Sequence, residues 1–197
     1  MMTSLVQTPR RQEIEAAATD LFRQHGYPAT TMRQLAGVLG MEAASLYSHF
    51  ASKEEILRGI CFRMANSFFV ELEALEAAET TATEKLARFV KAHVRVLTSN
   101  GPAAAVFQHE WRHLSDEPRQ RILALRDQYE SRLRDLLRLG RETGEFAIED
   151  EKFAALTILA ALNWLPNWYR PAGELSPEAI GNQLANNLLS GISKHKK

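Results

Sequence analysis

Cysteine is nearly absent: Cys61 is the single one in 197 residues. That excludes an internal disulfide and any zinc site built from several cysteines. With no disulfide to form, the chain fits a reducing compartment. Net charge is absent too, with 24 Lys and Arg against 24 Asp and Glu. A basic nucleic-acid coat and an acidic tail protein are excluded, but a small local DNA footprint is not, because the field depends on where charges sit. Long apolar runs are missing. The longest uncharged segment, 153–169, contains Thr157, Asn163, Pro166 and Asn167 and falls short of the ~20 apolar residues a membrane span needs. Residues 1–12 lack the apolar run of an export signal, and Arg10 and Arg11 follow a polar stretch. A cytoplasmic protein without a membrane partner is expected. There is no Gly-rich phosphate loop, no G-x-S-x-G and no Cys-x-x-Cys, so these patterns suggest neither an enzyme nor a cofactor.

What the sequence does contain is helical periodicity almost throughout. Hydrophobic residues at 45% and charged residues at 24% are those of an ordinary globular chain, long enough for one large or two small domains. Ile14, Ala17, Ala18, Leu21 and Phe22 form one apolar stripe, with Thr8-Pro9 as its start and Gly26 as its stop. Met32, Leu35, Ala36 and Leu39 share a face of a second, short helix. Thr31 and Gln34 fit a capping box at its start, and Gly40 follows its end. Ala43, Leu46, Tyr47 and Phe50 line a third. A fourth begins at Ser52 with Glu55 as a second capping box and runs to about Ala78. Further helices are expected over 82–98, 102–113, 117–141, 150–168 and 177–192. Sustained period-2 alternation is absent, so an all-α fold is expected. The basic tail Lys194-His195-Lys196-Lys197 reads as a solvated end.

The stretch 31–50 carries the most information. Two short helices separated by Gly40-Met41 have the spacing of a helix-turn-helix, whose second helix can enter the major groove of DNA. Ala43, Ala44, Ser45 and Ser48 would face outward, small enough for close approach to base edges. Ser45 can hydrogen-bond a base or phosphate, the alanines can touch thymine methyls, and Arg33 can make a bidentate guanine contact. Thr31, Tyr47, His49 and Lys53 are the expected phosphate grips, with Arg10 and Arg11 as further cations.

Ile14…Ala17-Ala18…Leu21-Phe22…Gly26-Tyr27…Thr30-Thr31…Leu35-Ala36…Gly40…Ser45-Leu46-Tyr47-Ser48-His49-Phe50…Ser52-Lys53-Glu54-Glu55 resembles the N-terminal domain of the tetracycline-repressor (TetR) family. The resemblance implies a three-helix DNA-binding head (1–52), a helical ligand-binding and dimerisation body (53–197), and a homodimer on a near-palindromic operator. Thr31, Tyr47, His49 and Lys53 match the family's phosphate-contacting positions, and Arg33, Ala43, Ala44 and Ser45 its base-reading ones. Ala43 and Ala44 have no side-chain hydrogen bond to offer, and Glu42 beside them would repel a phosphate.

In the body, Phe68, Phe69, Phe89, Phe107, Trp111, Tyr129, Trp164 and Trp168 are candidate walls of an apolar cavity for a small organic effector. The helix from about Asp150 is apolar nearly all round, and Ile180, Leu184 and Leu188 recur at four-residue spacing with Asn187 alongside. Leu162 and Leu165 with Ile180, Leu184, Asn187 and Leu188 are therefore the expected dimer contacts, two helices from each chain. Leu162-Asn163-Trp164…Trp168-Tyr169-Arg170-Pro171…Gly173-Glu174-Leu175-Ser176-Pro177-Glu178 and Glu110-Trp111-Arg112-His113-Leu114 resemble the branch of the family that responds to acyl-CoA thioesters. That resemblance implies an acyl-CoA inducer, with Arg112, Arg126 or Arg170 for its phosphates.

One motif competes. His109-Glu110-Trp111-Arg112-His113 is a literal H-E-x-x-H, which on a helix would place two histidines for zinc and a glutamate as general base, with Glu130 as a conceivable third ligand. Arg112, a fixed cation beside the metal, argues against this zinc-dependent hydrolase alternative. Cys61 reads as a small buried hydrophobe rather than a redox sensor.

Overall fold

The computed structural model describes residues 8–76 and 79–192. The last residues of the expected fourth helix and the basic tail lie outside them. Within them the chain is all-α. Helix α1 (Pro9–His25) starts where Thr8 Oγ1 accepts the Arg11 amide at 3.4 Å and ends at Gly26, whose φ of 80° suits glycine. Helix α2 (Met32–Val38) has the anticipated capping box, Gln34 N to Thr31 Oγ1 at 3.2 Å and Thr31 N to Gln34 Oε1 at 2.8 Å. Gly40, at φ 62°, turns the chain into α3 (Ala43–His49). Ile14, Ala18, Phe22, Leu35, Leu46 and Phe50 close the core of this head, all at most 2% exposed.

The body comprises α4 (Lys53–Glu76), α5 (Ala82–Ser99), α6 (Gly101–Glu110), a 3₁₀ turn (Trp111–His113), α7 (Asp116–Glu142), α8 (Glu151–Asn163), α9 (Leu165–Trp168) and α10 (Pro177–Ile192). Helix α5 is its axis and packs on α4, α6, α7, α8, α9 and α10. The closest neighbour is α10, because Gly181 has no side chain: a Cβ there would lie 3.4 Å from the Lys91 Cα. At the end of α7 the ring of Phe146 lies on Gly140, where a Cβ would come within 2.1 Å of Cδ2. Glu145 then caps α5 from outside, accepting the amides of Ala82 and Thr83 at 3.1 and 2.9 Å.

Two expected helices are interrupted. The segment 102–113 leaves α geometry at Trp111, and 150–168 breaks at Trp164, between α8 and α9. Pro166 accounts for the second break, since it has no N–H for the Leu162 carbonyl and disfavours helical geometry in the residue before it. Ser52 opens α4 as anticipated, its Oγ accepting the Glu55 amide at 3.1 Å, but Glu55 Oε2 reaches back to the Ala51 amide rather than to that of Ser52. Among the described residues no helix is long and apolar enough to cross a membrane.

Candidate DNA interface and effector cavity

The outer face of the helix pair is small and open. Ala44, Ser45, Tyr47 and Ser48 are exposed on α3, and Ala43 and His49 are half-buried at its flanks. Ser48 Oγ donates to the Ser45 carbonyl at 2.7 Å, which holds it against the helix. Tyr47, 52% exposed, presents its hydroxyl to solvent. Arg33 projects from α2 exposed and forms no ion pair among the described residues. Thr31 is exposed, though its hydroxyl also bonds Gln34 Oε1 at 3.0 Å. Glu42 makes no side-chain cap at the start of α3.

One expected phosphate grip, Lys53, and the two further cations Arg10 and Arg11 have partners within the protein. Lys53 Nζ donates to the carbonyls of Tyr27 and Thr30, both at 2.7 Å, and lies 4.1 Å from the centre of the Tyr27 ring. Burial lowers its pKa. Arg11 donates to the His49 carbonyl and to Glu55 Oε1 at 2.8 Å, and its guanidinium covers the Phe50 ring at 4.0 Å. Arg10 pairs with Glu13 at 2.5 Å. Arg11 joins α1, α3 and α4, Lys53 ties α4 to the turn after α1, and the Arg10 pair stays within α1; the exposed Arg33 joins none of them.

Head and body meet along α1, α4 and α6. Tyr27 stacks on His113 with centroids 5.6 Å apart, Glu54 Oε1 accepts the Ser115 amide at 2.7 Å, and Glu15 pairs with Arg63. The H-E-x-x-H motif belongs to this junction. Because the helix tightens at Trp111, the two histidines do not share an α-helical face. Glu110 sits 3.4 Å from His113, and Glu130 pairs with Arg134. Among the described residues no three His, Cys, Asp or Glu side chains could hold a metal. The metal-dependent alternative is thereby corrected: a junction of head and body occupies the place of a zinc site. Cys61 is fully buried, and burial pushes its thiol up to about 12, far from reactive thiolate chemistry.

A cavity of about 60 Å³, partly open to solvent, lies between α4, α5, α6, α7 and α8. Of the expected wall residues, Phe68, Phe69, Phe107 and Tyr129 line it. Phe89 stands behind them, its ring 5.3 Å from that of Tyr129. Trp111 is buried beside the cavity without lining it, with the guanidiniums of Arg112 and Arg126 at 4.8 and 5.4 Å from its ring. Two expectations are corrected. Trp164 and Trp168 are 64% and 44% exposed and point away from the cavity, because an apolar helix pattern does not say which side faces inward. Leu162, Leu165 and Ile180, expected at a partner interface, are at most 2% exposed within one chain and belong to its own core. Leu184 and Leu188 are half-buried and Asn187 exposed.

The sequence reading missed His93, Asn163, Leu125 and Leu159 as wall residues, and named Arg126 as a phosphate contact rather than as part of the wall. The signal for His93 was present: it stands four residues after Phe89 in the buried stripe of α5, the one polar residue among Phe89, Val90, Val94 and Leu97. Burial lowers its pKa to about 4, partly offset by the Asn163 amide beside it, so the imidazole is neutral near pH 7. Arg126 has its pKa lowered by burial and by Arg112, partly offset by the charge of Asp127, and neither arginine makes a close ion pair among the described residues.

The chain matches the family of bacterial regulatory proteins described as tetR over residues 14–60, and the tetracyclin repressor-like C-terminal domain over residues 79–192. The transcriptional repressor KstR2 of Mycolicibacterium smegmatis is 27% identical over 187 residues, covering 94% of this chain and 91% of that protein. The structure of the ketosteroid transcriptional regulator KstR2 of Mycobacterium tuberculosis superposes with a TM-score of 0.89 at 28% identity, covering 94% of this chain and 96% of that one. The regulator PfmR from Thermus thermophilus gives a TM-score of 0.83 at 35% identity, covering 92% and 99%.

Proposed function

The chain belongs to the TetR family of bacterial transcriptional regulators, and on that premise we propose that it is a dimeric repressor, released from its operator by an acyl-CoA. The family makes it a DNA-binding regulator and not an enzyme. The observation that carries the effector class is the pairing of an apolar cavity with Arg126 and Arg112, two cations held around Trp111 with no close ion pair among the described residues, Asp127 acting on Arg126 only as a more distant charge. Like charges held together are stable only where an anion or water neutralises them, and a CoA phosphate supplies that charge while its acyl group enters the cavity. Likeness to a ketosteroid regulator supports an apolar effector body. We place the head at residues 1–52 and the body at 53–197, in the cytoplasm with the DNA it reads.

Tyr47, His49, Thr31 and the helix N-termini position the head on phosphates, Ser45, Ser48, Ala43 and Ala44 meet the base edges, and Arg33 makes the strongest base contact. Arg11 acts by holding the end of α3 against α1 and α4, and Lys53 by fixing α4 to the turn after α1, while Arg10 adds positive charge at the start of α1. The dimer forms through Phe153, Leu156 and Ala160, exposed on one face of α8, and Trp164, exposed just past its end, beside Leu184, Asn187 and Leu188 of α10. A stripe of this kind on a single chain marks a protein contact. Selection of bound sequences from random DNA should enrich a near-palindrome, and acyl-CoAs should release it. Arg112→Ala with Arg126→Ala should weaken release at least tenfold while leaving operator affinity intact. Failure of every acyl-CoA to release the operator would sink the effector reading, and failure to enrich any palindrome would sink the DNA reading.

A further inference from the structure

The cavity wall holds a buried polar group that the protein does not satisfy. His93 is 3% exposed, its Nδ1 lies 3.1 Å from Tyr129 Oη, and its Nε2 has no hydrogen-bond partner among the described residues. Asn163 stands beside the ring, but its Oδ1 accepts from Gln108 Nε2 at 2.7 Å and forms no well-placed hydrogen bond with His93 Nε2. Tyr129 Oη has no other partner among the described residues. A neutral imidazole carries one N–H. If Tyr129 donates to Nδ1, then the His93 Nε2–H is left without an acceptor. If Nδ1–H donates to Tyr129, then the tyrosine O–H is left without one. In either tautomer this wall of the cavity holds a hydrogen-bond donor that makes no well-formed bond within the protein. Phe68, 4.7 Å from the imidazole, and Phe107 are the aromatic part of this wall and offer no acceptor, and Asn163, which also lines it, completes no hydrogen bond to Nε2.

We propose that the His93–Tyr129 pair is a specificity element that reads a hydrogen-bond acceptor, a carbonyl or ether oxygen, on the apolar body of the effector. This rests on the cavity being the effector site. A purely hydrocarbon acyl group fills the same space but leaves the donor unpaired, and a site built around a hydrogen bond discriminates strongly against a partner that lacks it. The effector is therefore an oxygen-bearing apolar molecule, such as a keto-substituted ring or chain, rather than a plain saturated fatty chain.

The test uses the full-length protein labelled with ¹⁵N-histidine and two probes of matched shape, cyclohexanone and methylenecyclohexane. Both should shift aromatic resonances of Phe68 and Phe107. The ketone should bind at least tenfold more tightly, and it alone should move the His93 imidazole ¹⁵N resonances. His93→Phe, which keeps a ring in place, should abolish the preference; should that variant fail to fold, the wild-type ¹⁵N shifts decide alone. Equal affinities, a preference that survives in His93→Phe, or exclusion of the ketone from the cavity would each overturn the proposal. Binding of decanoyl-CoA is measured in parallel. Ketone preference without any CoA binding sinks the acyl-CoA reading and leaves this one standing; CoA binding without ketone preference does the reverse.

Discussion

Lys53 and Arg11 show how a residue's chemistry is decided by partners far away in the chain. A lysine at a helix start facing DNA reads as a phosphate grip, yet its ammonium is held by the carbonyls of Tyr27 and Thr30, 26 and 23 residues upstream. Spacing along α4 carries no trace of those carbonyls, so the sequence could not disclose the contact. Replacing Lys53 by Met should therefore lower the stability of the protein itself, by about 1–2 kcal/mol for two charge-assisted hydrogen bonds, seen as an earlier thermal or urea midpoint. Tyr47→Phe should leave that midpoint unchanged and weaken operator binding. Gly140 gives a sharper case. A methyl group there meets the buried Phe146 ring, so Gly140→Ala should cost roughly 1–3 kcal/mol by overpacking, read from urea unfolding. An unchanged midpoint would mean that the ring can move aside.

At the scale of elements, the capped helices were the most legible. Thr8-Pro9 and Thr31 with Gln34 each start a helix where their side chains predict, because a cap is a contact between residues three apart. Glu145 is a cap of another kind: it serves α5 from 62 and 63 residues away, and only the folded chain reveals it. Burial raises its pKa, but hydrogen bonds from Thr83, Ala82 and Thr143 outweigh that, and the net shift is downward. Its folded pKa lies below its unfolded value, so its stabilisation is full above the ordinary carboxylate range and is lost as pH falls through the lowered value. Glu145→Gln should thus cost about 1 kcal/mol at pH 7 and much less in acid. Urea midpoints for both proteins between pH 7 and pH 3 check this; a constant gap would refute the ionic part of the cap. The walls of the cavity were half legible. Phe68, Phe107 and Tyr129 announced themselves as large aromatics, whereas Trp164 and Trp168 did so equally and sit outside, since side-chain size does not encode which face of a helix turns inward.

For the molecule as a whole, the zero net charge of the sequence carries through to the head. Arg10, Arg11, Arg23 and Arg33 are matched in number by Glu13, Glu15, Asp20 and Glu42, as Lys53 and Arg58 are by Glu54 and Glu55 at the adjoining start of α4, and several are physically paired. Operator affinity should then fall with log salt concentration at a slope shallower than about −5, the value for roughly six neutralised phosphates. A steeper slope in fluorescence anisotropy titrations would show that ion pairs in the head open on DNA.

The size of the cavity bears on time as well as on selectivity. At about 60 Å³ it is well below the roughly 300 Å³ at which ordinary ligand pockets begin. Phe68, Phe69 and Phe107, together with the helices that carry them, must separate before an effector of useful size is admitted. Entry is then a gated process, and part of the intrinsic affinity is consumed in populating the open form. In stopped-flow measurements the observed association rate should climb with effector concentration and then level off at the opening rate. The regulator would answer a rising effector level at a pace set by its own aromatic wall and not by diffusion.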